Sequence, residues 1–151
     1  MKVELTADGN GLVSHAGSFL LAQTAEKLGL TRALSAGLAS LKQRRSGHDP
    51  GRVIGDLALM LSDGGECVSD LQVVRDQEAL FGGVASDSTA YRVVEKIASE
   101  AEMLEAIRSA HAKARERFWE LHGAPKQLTI DVDATLISGT YSGGSVVTGR
   151  M

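Results

Sequence analysis

Polar and apolar positions change their period along the chain, and each change marks a predicted element. Lys2-Val3-Glu4-Leu5-Thr6 alternates, with Val3 and Leu5 on one face, which predicts a short strand closed by Asp8-Gly9-Asn10-Gly11. From Ser14 the spacing becomes helical through Phe19, Leu20, Ala22, Ala25 and Leu28, with Gly29 as the C-terminal stop. Thr31 is the predicted cap of a second helix carrying Leu34, Leu38 and Leu41. Lys42, Arg44 and Arg45 fall in its last turn, where the helix dipole favours cations. Asp49 and Pro50 suit the N-cap and first position of a third helix. That helix, with Val53, Ile54, Leu57, Leu59, Met60 and Leu61, is the most apolar in the chain and the predicted centre of the core. Asp63-Gly64-Gly65 ends it.

Residues 68–76 read as another helix, 77–81 as a short one, Gly82-Gly83 as a turn, and Ser86-Asp87 as the cap of a helix through Tyr91, Val94 and Ile97. Residues 100–122 form a long charged helix whose predicted buried stripe is Met103, Leu104, Ile107, Ala110, Ala114, Phe118 and Leu121. Pro125 marks a boundary, after which Leu128, Ile130 and Val132 alternate with polar residues as in a strand. The expected architecture is mainly α, with a helical N-terminal domain over 1–124 and a helix-turn-helix candidate at 68–97. A strand over 125–137 opens a second domain, and the Gly-, Ser- and Thr-rich residues 138–151 form a disordered or aberrant tail.

Composition narrows the class. The chain has 151 residues, 43% hydrophobic and 23% charged, as in ordinary globular proteins and unlike disordered ones. A single cysteine, Cys67, can form no internal disulfide, which suits a reducing cytoplasm. The N-terminus lacks a signal-peptide core, and the apolar run from Leu57 to Leu61 is far short of the ~20 residues that span a bilayer. The expectation is a cytoplasmic protein with no membrane partner. A net charge of −3 gives no support to nucleic-acid binding by itself, so any such surface must be local.

Two groups of residues carry candidate chemistry. Asp131 and Asp133, two apart on the predicted strand, point to one face, where hard cations such as Mg²⁺ find carboxylate ligands. The plainer alternative is a pair of solvated acids on a strand edge. In the 68–97 segment a helix-turn-helix would aim Ser88, Thr89, Tyr91 and Arg92 at base edges and leave Arg75 to phosphate. The plainer alternative there is a helical bundle of similar spacing, with Asp87 and Glu95 flanking the helix. Lys42, Gln43, Arg44 and Arg45 could hold phosphate or simply complete a helix end. His15, His48 and Cys67 lack metal-ligand spacing, and Gly64-Gly65 lacks the Lys of a phosphate loop.

Three segments occur in an order that resembles one known family. They are Leu12-Val13-Ser14-His15-Ala16-Gly17; the run from Gly47-His48-Asp49-Pro50 through Asp63-Gly64-Gly65-Glu66, Ser69-Asp70-Leu71, Arg75-Asp76-Gln77 and Leu80-Phe81-Gly82 to Ser86-Asp87-Ser88-Thr89; and Ile130-Asp131-Val132-Asp133-Ala134-Thr135-Leu136. Together they resemble the group-1 DDE transposases of bacterial insertion sequences. The resemblance implies binding to the terminal repeats of an insertion element and Mg²⁺-dependent cutting and joining of DNA. It implies Asp133 as the first acid of the catalytic triad and a metal ligand, with Asp131 as runner-up or neighbour. Family members continue into a ribonuclease-H-like sheet that supplies a second Asp and a Glu. A truncated, inactive transposase fragment is therefore expected, prone to self-association through its lone strand. The rival expectation is a stand-alone helical interaction module or a remnant without a role.

Overall fold

A computed structural model of the chain describes residues 16–42 and 47–130. The described residues form seven α-helices: α1 (Ala16–Lys27), α2 (Leu30–Gly37), α3 (Pro50–Ser62), α4 (Leu71–Arg75), α5 (Glu78–Phe81), α6 (Asp87–Ser99) and α7 (Ala101–His122). Short 3₁₀ turns over Ala39–Leu41 and Val68–Asp70 extend α2 and precede α4. The mainly α reading holds. Among the described residues there is no strand: residues 127–130 are irregular and exposed. The rest of the expected strand, the N-terminal strand at 2–6 and the 138–151 tail lie outside the described residues.

Local chemistry sets the helix ends. Gly29 takes a left-handed conformation at φ 77, which a residue without a Cβ adopts at little cost, and it turns α1 directly into α2. Gly29 is therefore the cap of α2, with no side-chain cap bond, and Thr31 lies inside the first turn. That corrects the assignment of Thr31 as the cap. Lys42 is likewise past the helix, in extended backbone after the 3₁₀ turn, while residues 43–46 lie outside the described residues. At α3 the expected cap is present: the Asp49 carboxylate accepts from the Arg52 backbone N–H at 2.9 Å and from Ser35 Oγ at 2.7 Å, with Pro50 following.

Helix α3 is the centre of the packing. Its Val53, Leu57, Leu59 and Met60 join Phe19, Leu71, Val74, Phe81, Val84 and Ala90 in the larger apolar cluster. A smaller cluster of Leu38, Leu41, Ile97 and Met103 lies beside it, and Ile54 and Val93 pack against both. Gly51 lets α3 approach α2, since a Cβ there would stand 2.2 Å from the Ser35 backbone nitrogen. The inward positions on two helices differ from the predicted stripes. On α6 the buried residues are Ala90 and Ile97, whereas Tyr91 and Val94 face outward. On α7 Met103, Ala110 and Ala114 are buried, while Leu104, Phe118 and Leu121 are exposed. Leu61, expected in the core, is also exposed.

Candidate nucleic-acid interface

The segment at 68–97 folds in the order the sequence predicts: 3₁₀ turn and α4, short α5, a glycine-containing turn, then α6. Asp70 ties down its start, accepting from the Glu66 and Cys67 backbone N–H groups at 2.9 and 3.0 Å. Those bonds hold its carboxyl below the usual range. Gly82, at φ 71, turns the chain after α5, and Val84 and Ala85 are then buried ahead of α6. Ser86 caps α6 through its carbonyl, which accepts from Thr89 and Ala90. Its hydroxyl lies 3.0 Å from the Thr89 hydroxyl and 3.2 Å from that of Ser88, so it makes no side-chain bond to the helix backbone.

Arg75 connects α4 to this helix start. Its guanidinium donates to the Ala85 carbonyl at 3.0 Å and to Asp87 Oδ1 at 3.1 Å. The pair neutralises the acid in the first turn of α6 and fixes the helix by its N-terminal end. Arg75 is thus engaged in holding the segment together. The other four candidates divide by exposure. Ser88, Tyr91 and Arg92 are exposed and share one face at spacings of three and four, while Thr89 is half-buried. Glu95 continues that exposed face, and half-buried Lys96 follows it.

Asp131 and Asp133 lie outside the described residues. Among the described residues no group of three or more His, Cys, Asp or Glu side chains is placed to hold a metal ion. No described helix is long and apolar enough to cross a membrane.

A second polar feature has no counterpart in the candidates above. Asp56 is buried in the middle of α3, with Arg52 Nε 3.6 Å from its Oδ1. Its Oδ2 is enclosed and has no hydrogen-bond partner among the described residues. Burial pushes its pKa up to about 6 against the opposing pull of Arg52. Arg52 also donates to the Phe81 carbonyl at the end of α5. The signal available in the sequence is an Arg-Asp pair at i, i+4 within an otherwise apolar helix.

The family model described as transposase DDE domain group 1 matches residues 1–142. No curated protein and no solved structure matches the chain.

Proposed function

The chain belongs to the transposase DDE domain group 1 family, and from that premise we propose that its 68–97 segment contacts DNA through the first two turns of α6. Transposases act on DNA, so the family supplies the partner. The observation that supports the place is the outward face of Ser88, Tyr91 and Arg92 beside an Asp87 already paired with Arg75. A helix N-terminus favours phosphate, and an uncompensated acid there would oppose it. Tyr91 and Arg92 supply stacking, hydrogen-bonding and charge, while Ser88 reaches phosphate or a base edge. Arg75 serves the interface by neutralising Asp87.

The DNA proposed is the terminal repeat of an insertion element, and the fuller activity is strand cutting and joining. The family's chemistry generally uses a divalent metal. We assign the first carboxylate to Asp133, with Asp131 beside it, and Mg²⁺ is the hard ion such carboxylates suit. The catalytic site of a ribonuclease-H-like domain draws its acids from separate segments. Asp133 and Asp131 are proposed as one part of that site.

Fluorescence anisotropy on repeat-bearing and scrambled duplexes across a salt series tests the reading. The wild-type chain should prefer the repeat and weaken steeply with salt. Arg92→Ala should lower affinity and reduce the salt slope by about 1 if it meets phosphate, or relax sequence preference if it meets a base. Wild-type binding by both Tyr91→Ala and Arg92→Ala would remove α6 from the interface.

A further inference from the structure

We propose that Arg52 and Asp56 of α3 are positioning residues for the DNA face of α6, acting on the connector that leads into that helix. The proposal rests on the reading of α6 as the DNA-contacting helix. The connector runs from Gly82 to Ser86, between α5 and α6, and an arginine holds each of its ends. At the exit Arg75 donates to the Ala85 carbonyl at 3.0 Å and to Asp87 at 3.1 Å. At the entry Arg52 donates from Nη2 to the carbonyl of Phe81, the last residue of α5. A Cβ at Gly82 would lie 3.6 Å from the same Nη2, so the turn passes close against the guanidinium.

Asp56 directs that arginine. Its Oδ1 lies 3.6 Å from Arg52 Nε, one turn along α3. The planar guanidinium thus spends one nitrogen on the acid and another on the Phe81 carbonyl, a division that needs its rigid fork. Packing gives no reason for an acid here. Asp56 stands among buried Val53, Leu57 and Met60 on α3, its Oδ2 is enclosed without a hydrogen-bond partner among the described residues, and burial disfavours its charge. An apolar side chain of similar size would fill the place without that penalty. What the carboxylate supplies is a fixed charge that aims a half-exposed arginine at one backbone carbonyl.

The reading face of α6 depends on such support. Ser88, Tyr91 and Arg92 are exposed, so their direction follows from where the helix starts and how it is turned. A recognition group must be held close to its productive geometry by the elements behind it. Arg75 ties the start of α6 to α4 only. Arg52 ties the connector to α3, the helix around which the larger apolar cluster is built. The two arginines together refer α6 to two elements, and Arg52 does this without contacting DNA itself.

The test compares Arg52→Lys and Asp56→Asn with the wild-type 151-residue chain, by anisotropy on repeat-bearing and scrambled duplexes, thermal melting at pH 7.5 and amide hydrogen exchange. Arg52→Lys keeps the charge and loses the fork. Asp56→Asn removes a negative charge, which by itself favours a polyanionic partner, and removes the disfavoured buried carboxylate. A merely structural role therefore predicts that Asp56→Asn melts higher and binds DNA at least as well. The positioning role predicts that it melts higher yet binds the repeat about threefold more weakly, as should Arg52→Lys, from the loss of one charge-assisted bond. In both variants the Gly82, Thr89 and Ala90 amides should exchange faster, while the Val53 amide, bonded to Asp49 within α3, stays as in the wild type. Wild-type affinity for the repeat in both variants, or unchanged exchange at Gly82, Thr89 and Ala90, overturns the proposal. If Tyr91→Ala and Arg92→Ala also bind as wild type, the DNA reading of α6 fails and takes the proposal with it. If those two weaken binding while Arg52→Lys and Asp56→Asn do not, the reading stands and the positioning role alone falls.

Discussion

Asp49 caps α3 and Asp56 lies in its middle, under opposite electrostatic conditions. Burial works against the Asp49 charge, but bonds from Ser35 and the Arg52 backbone, with the nearby Lys42 charge, outweigh it and lower its pKa. Its contribution to stability is present above the ordinary carboxylate pKa and lost as pH falls through the lowered folded value. Asp56 is raised to about 6 from 3.8, so its charged form is the disfavoured one in the fold. The resulting penalty is absent below 3.8, grows through about 6, and is complete above. Asp56→Asn should therefore stabilise the chain at pH 7.5 by at most about 3 kcal/mol, from roughly two pKa units at ~1.4 kcal/mol each. Urea unfolding at pH 7.5 and 4 should show that gain shrinking towards zero at the lower pH. Gly51 and Gly55 give the matching steric contrast. Gly51→Ala should cost about 3 kcal/mol or prevent folding, because the new methyl overlaps the Ser35 and Leu34 backbone. Gly55→Ala should instead stabilise by about 0.5–1 kcal/mol through helix propensity. Thermal melts of the two variants should move in opposite directions.

Element by element, the helices were legible and their rotations were not. The cap at Asp49 and the stop at Gly29 are local devices, and both operate as the sequence implies. The inward face of α6 keeps Ile97 but excludes Tyr91 and Val94, because the helix is anchored elsewhere. The Arg75–Asp87 pair and buried Val84 and Ala85 fix its start, which turns Ala90, Val93 and Ile97 towards α3 and the second cluster. For α7 the reason is length. Its 22 residues span about 33 Å, whereas the 8 residues of α2 beside it span about 12 Å. The last turns of α7 extend beyond that cover, which leaves Phe118 and Leu121 exposed while Ala110 and Ala114 stay buried. A charge is consequently tolerated at one end and not in the middle. Leu121→Glu should change stability by less than about 0.5 kcal/mol. Ala110→Glu should unfold the chain or cost several kcal/mol by burying an unpaired carboxylate. Circular-dichroism melts of the two variants decide the point, and equal losses would mean that the end of α7 is covered.

At the scale of the whole molecule, both apolar clusters draw their buried residues from positions between Phe19 and Met103, and among the described residues the last buried position is Ala114. Residues 121–130 are exposed throughout, including Leu128 and Ile130. A chain ending at residue 124 should therefore melt within about 2 °C of the full chain, a shift worth at most about 1 kcal/mol for a domain of this size. Size-exclusion chromatography should show the full chain to be the more associated of the two, since Leu128 and Ile130 offer unpartnered apolar surface. A lower melting temperature on shortening would mean that later residues pack on the helices. The sequence by itself determined which segments are helical, where several of them start and stop, and the family to which the chain belongs. Those depend on neighbours three and four residues away, on caps, and on an ordered set of motifs. Tertiary structure alone decided which side of α6 and α7 is buried, that Arg75 is engaged with Asp87, and that Arg52 joins Asp56 to the Phe81 carbonyl. The physical reason is that burial is settled between helices distant in sequence, where helix length, anchoring ion pairs and close backbone approach select one rotation from several that the same apolar pattern allows.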